Sequence, residues 1–335
     1  MQPEPLASAL LFTTFAALVL ASVVFSRLLE RTPIPVGLIF LAIGMLAGSE
    51  GIFGIEFDDY RFAFRVGTAA LVLILFDGGL NTPLDSLRRV WAPAGLLATV
   101  GVVGIGAITA VGARVLGLPW PQAMLLGAIV SSTDAAAVFS ALRSSGISLR
   151  RRAGSTLEVE SGLNDPMAVL LTITLTHVVV TGETPSAAHI AYTFARELLL
   201  GALFGYVIGI GARYLLRQLR LRSLGLYPVI TLGVALLAFG ITTAAHGSGF
   251  LAVYVAGVVI GNGNLPYRAG VLRTQDAMAW LSQIVMYLVF GLLVFPRQLP
   301  AVAVTGLLVS AVLVFVARPV MVAAILAPFG YSLRE

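Results

Sequence analysis

Two short runs hold most of the groups in this sequence that could do chemistry. They are Ser131-Ser132-Thr133-Asp134 and Glu160-Ser161-Gly162-Leu163-Asn164-Asp165-Pro166, and both lie inside long apolar stretches. Their ligand set is oxygen only: carboxylate, hydroxyl and amide. Such a set suits Na+, K+ or a proton and disfavours soft transition metals. On a helix, Ser161 and Asp165 are four residues apart and share a face, while Glu160 and Asn164 share the adjacent one. Pro166 has no N–H, so the carbonyl of Gly162 lacks its usual helical partner. Serine, threonine and aspartate crowded into one turn compete for backbone hydrogen bonds. The helix is therefore expected to open at Ser131–Asp134 and to offer carbonyl oxygens. A carboxylate stripped of water can hold a proton or a cation but hardly both, and this competition is the simplest physical basis for exchanging one for the other.

Other ionisable groups also fall inside apolar stretches, where a charge costs about 3 kcal/mol even on conservative scales. Arg318, followed by Pro319, needs a buried anion, and Glu160 is the expected partner in a structural ion pair. Asp77, in Phe76-Asp77-Gly78-Gly79, and Glu158 lie nearer the inner ends of their stretches and are read as structural or interfacial. The three histidines, His177, His189 and His246, have no metal-ligand spacing and are read as surface or loop residues. Gly104-Ile105-Gly106 is read as a helix-packing element and not as a nucleotide loop.

Several function classes are excluded. The chain has no cysteine, which removes disulfides, thiolate catalysis and iron–sulfur clusters. It has no lysine, no Gly-x-x-x-x-Gly-Lys-[Ser/Thr] loop and no His-Glu-x-x-His run, so ATP-driven transport and zinc-dependent hydrolysis have no machinery. No cofactor, no resident metal, no nucleotide and no nucleic-acid partner are expected, although the pI is about 9.9. A passive cation channel, or a membrane subunit that transports nothing, stands as the alternative class.

The elements that must position these groups are membrane helices. Of 335 residues, 58% are hydrophobic and 11% charged, and the mean hydropathy is +0.96. A soluble domain carries about 25% charged residues, so the partners of most of this chain are lipid tails. Eleven spans are expected, at about 6–28, 34–49, 62–80, 91–114, 121–142, 157–180, 190–216, 226–246, 248–263, 278–295 and 300–327. The run from Leu6 to Phe25 is read as the first span and not as a cleaved signal peptide. The runs lack the alternation of a membrane strand, which leaves the helix as the spanning structure.

Arginine sets the orientation. Loops after odd-numbered spans hold Arg27, Arg31, Arg88, Arg89, Arg143, Arg150, Arg151, Arg152, Arg213, Arg217, Arg220, Arg222, Arg268, Arg273 and Arg334. Even-numbered loops hold Arg61, Arg65, Arg114, Arg196 and Arg297. The positive-inside rule then places the N-terminus outside and the C-terminus in the cytoplasm. The fifth span enters near Trp120, and Asp134 is fourteen residues further on. The sixth starts after Arg152, and Asp165 is thirteen residues further on. Each distance is roughly 20 Å along a helix, so two consecutive antiparallel spans bring carboxylates to one mid-membrane depth, where secondary transporters hold their ion sites.

Ser131 to Phe139 (Ser-Ser-Thr-Asp-Ala-Ala-Ala-Val-Phe) and Leu157 to Pro166 resemble the NhaP type of monovalent cation:proton antiporter, within the sodium/hydrogen exchanger family, and most closely the potassium/proton CvrA-like branch. Phe76-Asp77-Gly78-Gly79-Leu80 and Ala317-Arg318-Pro319 are similar to the same family. The resemblance covers essentially the whole chain. It implies a fold of thirteen helices in inverted repeats, a homodimer in a bacterial inner membrane, and an elevator-like movement of a core domain. By this resemblance Asp165 takes the ion or the proton. Thr133 and Asp134 shape the site at an unwound crossing, Ser161 supplies a hydroxyl, Glu160 pairs with Arg318, and Asn164 marks an electroneutral, one-for-one exchanger. The organisation it implies is scaffold and dimerisation helices in 1–90, core ion-transport helices in 91–180, linker and scaffold helices in 190–295, and the start of a second core half in 300–335. The family pattern continues past the Arg318 helix with a second broken helix, a last span and, in CvrA-like members, a cytosolic regulatory region. Half of the crossing is therefore expected to lie outside these 335 residues.

Overall fold

The computed structural model describes residues 5–28, 34–134, 138, 142, 149–182, 186–219 and 221–332. Arg31, Arg143, Arg220 and Arg334 lie outside the described residues, as do Ala135, Ala136, Ala137 and Phe139 of the first motif. Thirteen α-helices occur among the described residues: α1 (Leu6–Leu28), α2 (Val36–Ala47), α3 (Tyr60–Asn81), α4 (Leu84–Leu96), α5 (Val102–Val115), α6 (Trp120–Val130), α7 (Arg151–Thr181), α8 (Ala187–Gln218), α9 (Leu226–Ala244), α10 (Gly249–Gly261), α11 (Arg268–Leu292), α12 (Leu299–Val312) and α13 (Arg318–Leu326). A π-helical turn, Leu97–Gly101, joins α4 to α5, and another, Leu313–Ala317, joins α12 to α13. The fourth and eleventh expected spans are thus each one long helix with a π turn in it. Among the described residues six helices are long and apolar enough to cross a membrane: Tyr60–Asn81, Leu84–Val115, Arg151–Thr181, Ala188–Gln218, Leu226–Ala244 and Pro296–Phe329. Phe12–Arg27, Val36–Ala47, Trp120–Val130 and Gly249–Gly261 are shorter apolar helices.

Local sequence explains several ends. Ser186 and Ser248 cap α8 and α10, their hydroxyls accepting from His189 N–H at 3.2 Å and Leu251 N–H at 3.3 Å. Gly182 ends α7 at φ 74°, a conformation that suits a residue without a Cβ. Pro166 sits inside α7 without ending it.

The chain forms two compact units. The first comprises Met1–Ile74, Ala136–Ser148 and Ala277–Ala301. In it, Phe40 of α2 packs with Ile284 and Leu288 of α11, and Leu18, Val19 and Ile43 close around them. Gly44 lets α2 approach the α11 backbone: a Cβ there would lie 2.9 Å from Gly291 Cα.

The second unit comprises Leu75–Ala135, Leu149–Asp276 and Val302–Glu335. Glycines bring its helices together. Gly201, Gly205 and Gly209 form a four-residue stripe on α8 that meets α10; Cβ atoms there would lie 2.8 Å from Ser248 O, 2.5 Å from Ala252 O and 2.8 Å from Val259 Cβ. On its other side α10 meets α3, with Gly257 against the Phe76 carbonyl and Gly261 against that of Leu80. In lipid, helix association depends on close van der Waals packing, which small residues allow. Gly106 and Gly127 bring α5 and α6 together in the same way, which bears out packing as the reading of the Gly104–Gly106 fragment.

The two π-containing helices run antiparallel. Gly101 faces Ile325, Gly104 faces Met321 and Gly112 faces Val312. Their contacts are reciprocal: α5 packs on the π turn before α13, and α13 packs on the π turn before α5.

The α3–α10 seam has no slack. A Cβ on Gly257 would lie 2.7 Å from Phe76 O and 3.1 Å from Gly79 Cα, both backbone atoms. Gly257→Leu is expected to cost about 1–3 kcal/mol through overpacking, read as a lower thermal unfolding temperature in detergent. Gly233→Ala, at a position with nothing within 4 Å, is expected to change nothing. Equal unfolding temperatures for the two variants would show that the seam yields.

Candidate functional site

α6 stops at Val130, and residues 131–134 are not helical. The expected opening is therefore present, and α7 runs beside it. Ser131 turns its hydroxyl back to the Ala128 carbonyl at 2.7 Å and closes the end of α6. The next three residues face the middle of α7. Ser132 Oγ lies 2.6 Å from Asp165 Oδ1 and 3.0 Å from Asn164 Oδ1. A hydroxyl has one hydrogen, so only one of these acceptors receives it at a time. The shorter contact, to a carboxylate, is the stronger. The Thr133 carbonyl accepts from Ser161 Oγ at 2.9 Å, with the Asn164 amide nitrogen at 3.5 Å.

Asn164 is wholly buried and stands between Glu160 and Ser132. Its Nδ2 donates to Glu160 Oε1 at 2.7 Å, one turn back, so its Oδ1 faces Ser132. Glu160 is buried, while Asp165 and Ser161 are half-buried. Asp134 is exposed and close enough to Asp165 for their charges to interact.

Arg318 reaches this opening from α13. Its Nη1–H donates to Thr133 Oγ1, and its Nη2–H donates to the Ser132 carbonyl at 2.8 Å. The π turn Leu313–Ala317 immediately precedes it. Glu160 and Arg318 act on one another electrostatically, but among the described residues no hydrogen bond joins them. The guanidinium donates instead to the opened turn.

The structure thus brings together Thr133, Asp134, Glu160, Ser161, Asn164, Asp165 and Arg318. Ser132 joins them; the sequence counts it only among the oxygen ligands of the Ser131–Asp134 run, and its contact with Asp165 has no local signal. The arrangement can offer a desolvated cation the Asp165 carboxylate, the Ser161 hydroxyl, the Asn164 amide oxygen and the Thr133 carbonyl, or Asp165 can take up a proton in its place. Among the described residues no group of three His, Cys, Asp or Glu side chains has metal-binding geometry.

Asp77 stands apart from these residues. Asn81 Nδ2 donates to its side chain at 3.1 Å and to its carbonyl at 2.9 Å, and Asp276 acts on it through space. Asp276 escaped the sequence reading because α11 begins at Arg268, ten residues before the apolar run that was expected to mark it. His177 and His189 are exposed, as expected, and line the polar end of a cleft of about 490 Å³ between α7 and α8, with Glu197 and Thr174.

Comparison with known proteins gives the family. The family described as "Sodium/hydrogen exchanger, transmembrane" matches residues 14–335. The chain is 45% identical over 319 residues to the K+/H+ antiporter NhaP of Alkalimonas amylolytica, covering 95% of this chain and 55% of that protein. It is 43% identical over 324 residues to the K+/H+ antiporter NhaP2 of Shewanella oneidensis, with the same 95% and 55% coverage. The chain therefore spans about half the length of the curated relatives it matches. The sodium proton antiporter MjNhaP1 of Methanocaldococcus jannaschii superposes with a TM-score of 0.80, covering 97% of this chain and 80% of that one. At 22% identity, that likeness shows the fold. With a match over nearly its full length and relatives above 40% identity, the chain belongs to the transmembrane sodium/hydrogen exchanger family.

Proposed function

We propose that this protein exchanges a monovalent cation for a proton across a bacterial inner membrane, by alternating access at Asp165. The observation that carries this reading is the setting of that carboxylate. It lies in the middle of an apolar helix, facing a turn where a second helix has opened, and it is surrounded by oxygen ligands. Proton and cation compete for the same oxygens. A proton on Asp165 removes its charge and the reason for a cation to stay; a cation displaces the proton. Each arrival thus drives off the other, which is antiport without any energy source but the gradients.

The number of charges follows from Asn164. Between Glu160 and Asp165 stands a neutral amide that donates to Glu160 and, at longer range, to the Thr133 carbonyl, and whose oxygen faces Ser132. Only Asp165 is then left to carry the exchanged charge, so one cation moves against one proton and no net charge crosses. Ser132 competes with the substrate for Asp165. Thr133 and Ser161 contribute oxygens, and Asp134 adds negative potential. Glu160 and Arg318 form an electrostatic pair that holds the opened turn. Of the two candidate cations, K+ is favoured by the names of the relatives described above. The arginine distribution supports an outside N-terminus and a cytoplasmic C-terminus. A homodimer, with residues 1–90 and 190–295 as its scaffold and 91–180 and 300–335 as its moving core, is the assembly that this reading adopts.

Proteoliposomes loaded with a pH-sensitive dye test the assignment. Added K+ or Na+ is expected to drive proton movement while a potential-sensitive dye stays silent; a net current would mean a channel. Asp165→Asn is expected to abolish the flux with unfolding temperature unchanged, and wild-type flux in that variant would sink the reading. Arg318→Ala leaves the Ser132 carbonyl and Thr133 hydroxyl without their donor. It is expected to destabilise the protein by about 2–4 kcal/mol, seen as a lower unfolding temperature. An unaltered temperature would mean that the opened turn holds itself.

A further inference from the structure

Glu158 has no part in the site above, yet it lies on the same stripe of α7 as Asp165. Seven residues separate them, about 10 Å along the axis and nearly the same azimuth. Gly162 lies on that stripe between them. A Cβ on Gly162 would lie 2.5 Å from Tyr254 Cε2, 2.7 Å from Cζ and 3.0 Å from the phenol oxygen. The tip of Tyr254 therefore covers the helix backbone midway between the two carboxylates, and only glycine leaves it room.

The phenol is fixed in position and in hydrogen-bond direction. Tyr254 is 3% exposed and stands on α10, which is clasped by the glycine seams to α3 and α8. Its hydroxyl lies 3.2 Å from Thr82 Oγ1. The one hydrogen of Thr82 goes to the Gly78 carbonyl at 2.8 Å, so the phenol must be the donor in that pair. Its oxygen keeps its acceptor lone pairs. Glu158 is near enough to act electrostatically on this phenol. Glu158 is itself exposed and, among the described residues, has no hydrogen-bond or ion-pair partner. Glu158, the buried phenol oxygen packed over Gly162, and Asp165 thus follow one another along one face of α7.

We propose that Glu158 and the Tyr254 phenol oxygen form an approach site for the exchanged cation, in which Glu158 concentrates the cation at the end of the path and Tyr254 receives it one turn before Asp165. This rests on the antiport reading and adds to it a route of entry on the Glu158 side. Glu158 acts by its field and Tyr254 by its oxygen, which separates the two experimentally.

The test uses the full-length protein in proteoliposomes, with cation-driven proton flux measured against K+ or Na+ concentration, at low ionic strength and again with choline chloride added. Glu158→Gln is expected to raise the half-saturating cation concentration about tenfold at low ionic strength, as loss of a focusing charge does, and to keep the maximal rate. The gap is expected to close with added choline chloride, because the screening length falls from about 30 Å at 0.01 M to about 3 Å at 1 M salt. Glu158→Asp restores the wild-type value. Tyr254→Phe, which keeps the ring, is expected to raise half-saturation at both ionic strengths with an unchanged unfolding temperature. Unchanged half-saturation in both variants would overturn the proposal. So would a loss in Glu158→Gln that salt does not alter and that comes with a lower unfolding temperature, since that is the signature of a structural carboxylate. If Glu158→Gln fails to fold, Tyr254→Phe alone decides. A wild-type protein that moves no protons overturns the antiport reading and this one with it, whereas wild-type flux with indifferent variants overturns this one alone.

Discussion

A helix that opens inside hydrocarbon leaves carbonyl oxygens that only the protein can satisfy, at a cost of several kcal/mol for each one left bare. The turn after Val130 meets that constraint with donors from two other helices. Arg318 donates to the Ser132 carbonyl and the Thr133 hydroxyl, and Ser161 donates to the Thr133 carbonyl. Much of the site's polar character follows from this requirement. The groups that compensate the opening are also those surrounding Asp165, so binding and stability draw on the same atoms. Under the proposed antiport, a cation arriving at Thr133 O or Ser161 Oγ would enter an existing hydrogen-bond network and exchange one partner for another, without filling an empty hole.

The elements around this network differ in how they pack. α3, α8 and α10 meet along glycine seams where backbone touches backbone. Such contacts fix the distance and register of three helices without polar groups. The open turn is held by side-chain donors, among them a long guanidinium half-exposed on α13. Side-chain hydrogen bonds re-form over small displacements, whereas a seam with carbonyls 2.5–2.8 Å from an imagined Cβ does not slide. The slab of glycine-packed helices therefore offers a fixed reference, and the polar turn is the adaptable part.

Much of this was legible in the sequence because charge in an apolar run is expensive. Asp134, Glu160, Asp165 and Arg318 stand out for that reason alone, and the four-residue spacing of Glu160 and Asn164 anticipates their hydrogen bond. The crowding of Ser131, Ser132, Thr133 and Asp134 anticipates the opening. What sequence could not supply was direction. Whether Ser132 or Thr133 turns its hydroxyl to Asp165 depends on the dihedral angles of a turn that has no regular repeat. That Arg318 donates to residues about 185 positions earlier and not directly to Glu160 is a tertiary fact. The contact of Tyr254 with Gly162 joins helices about ninety residues apart and has no local signature. Asp276 was hidden because hydropathy marks where a helix enters lipid, not where it begins.

The π turn before Arg318 has a consequence for the length of the chain. A π turn closes on the fifth residue, so it holds one residue more than an ordinary helical turn. That extra residue is absorbed within the turn, so it is a residue lost from the regular stretch Leu299–Val312 that would go unnoticed, leaving a helix still largely apolar and well suited to the membrane. Everything on one side of the deletion would be rotated by about 100° against the other, and the guanidinium would no longer face Ser132 and Thr133. Composition would survive such a change and the site would not. For anyone grafting this segment or aligning it by hydrophobicity, the count of residues between Leu299 and Arg318 is as much a part of the candidate site as the arginine itself.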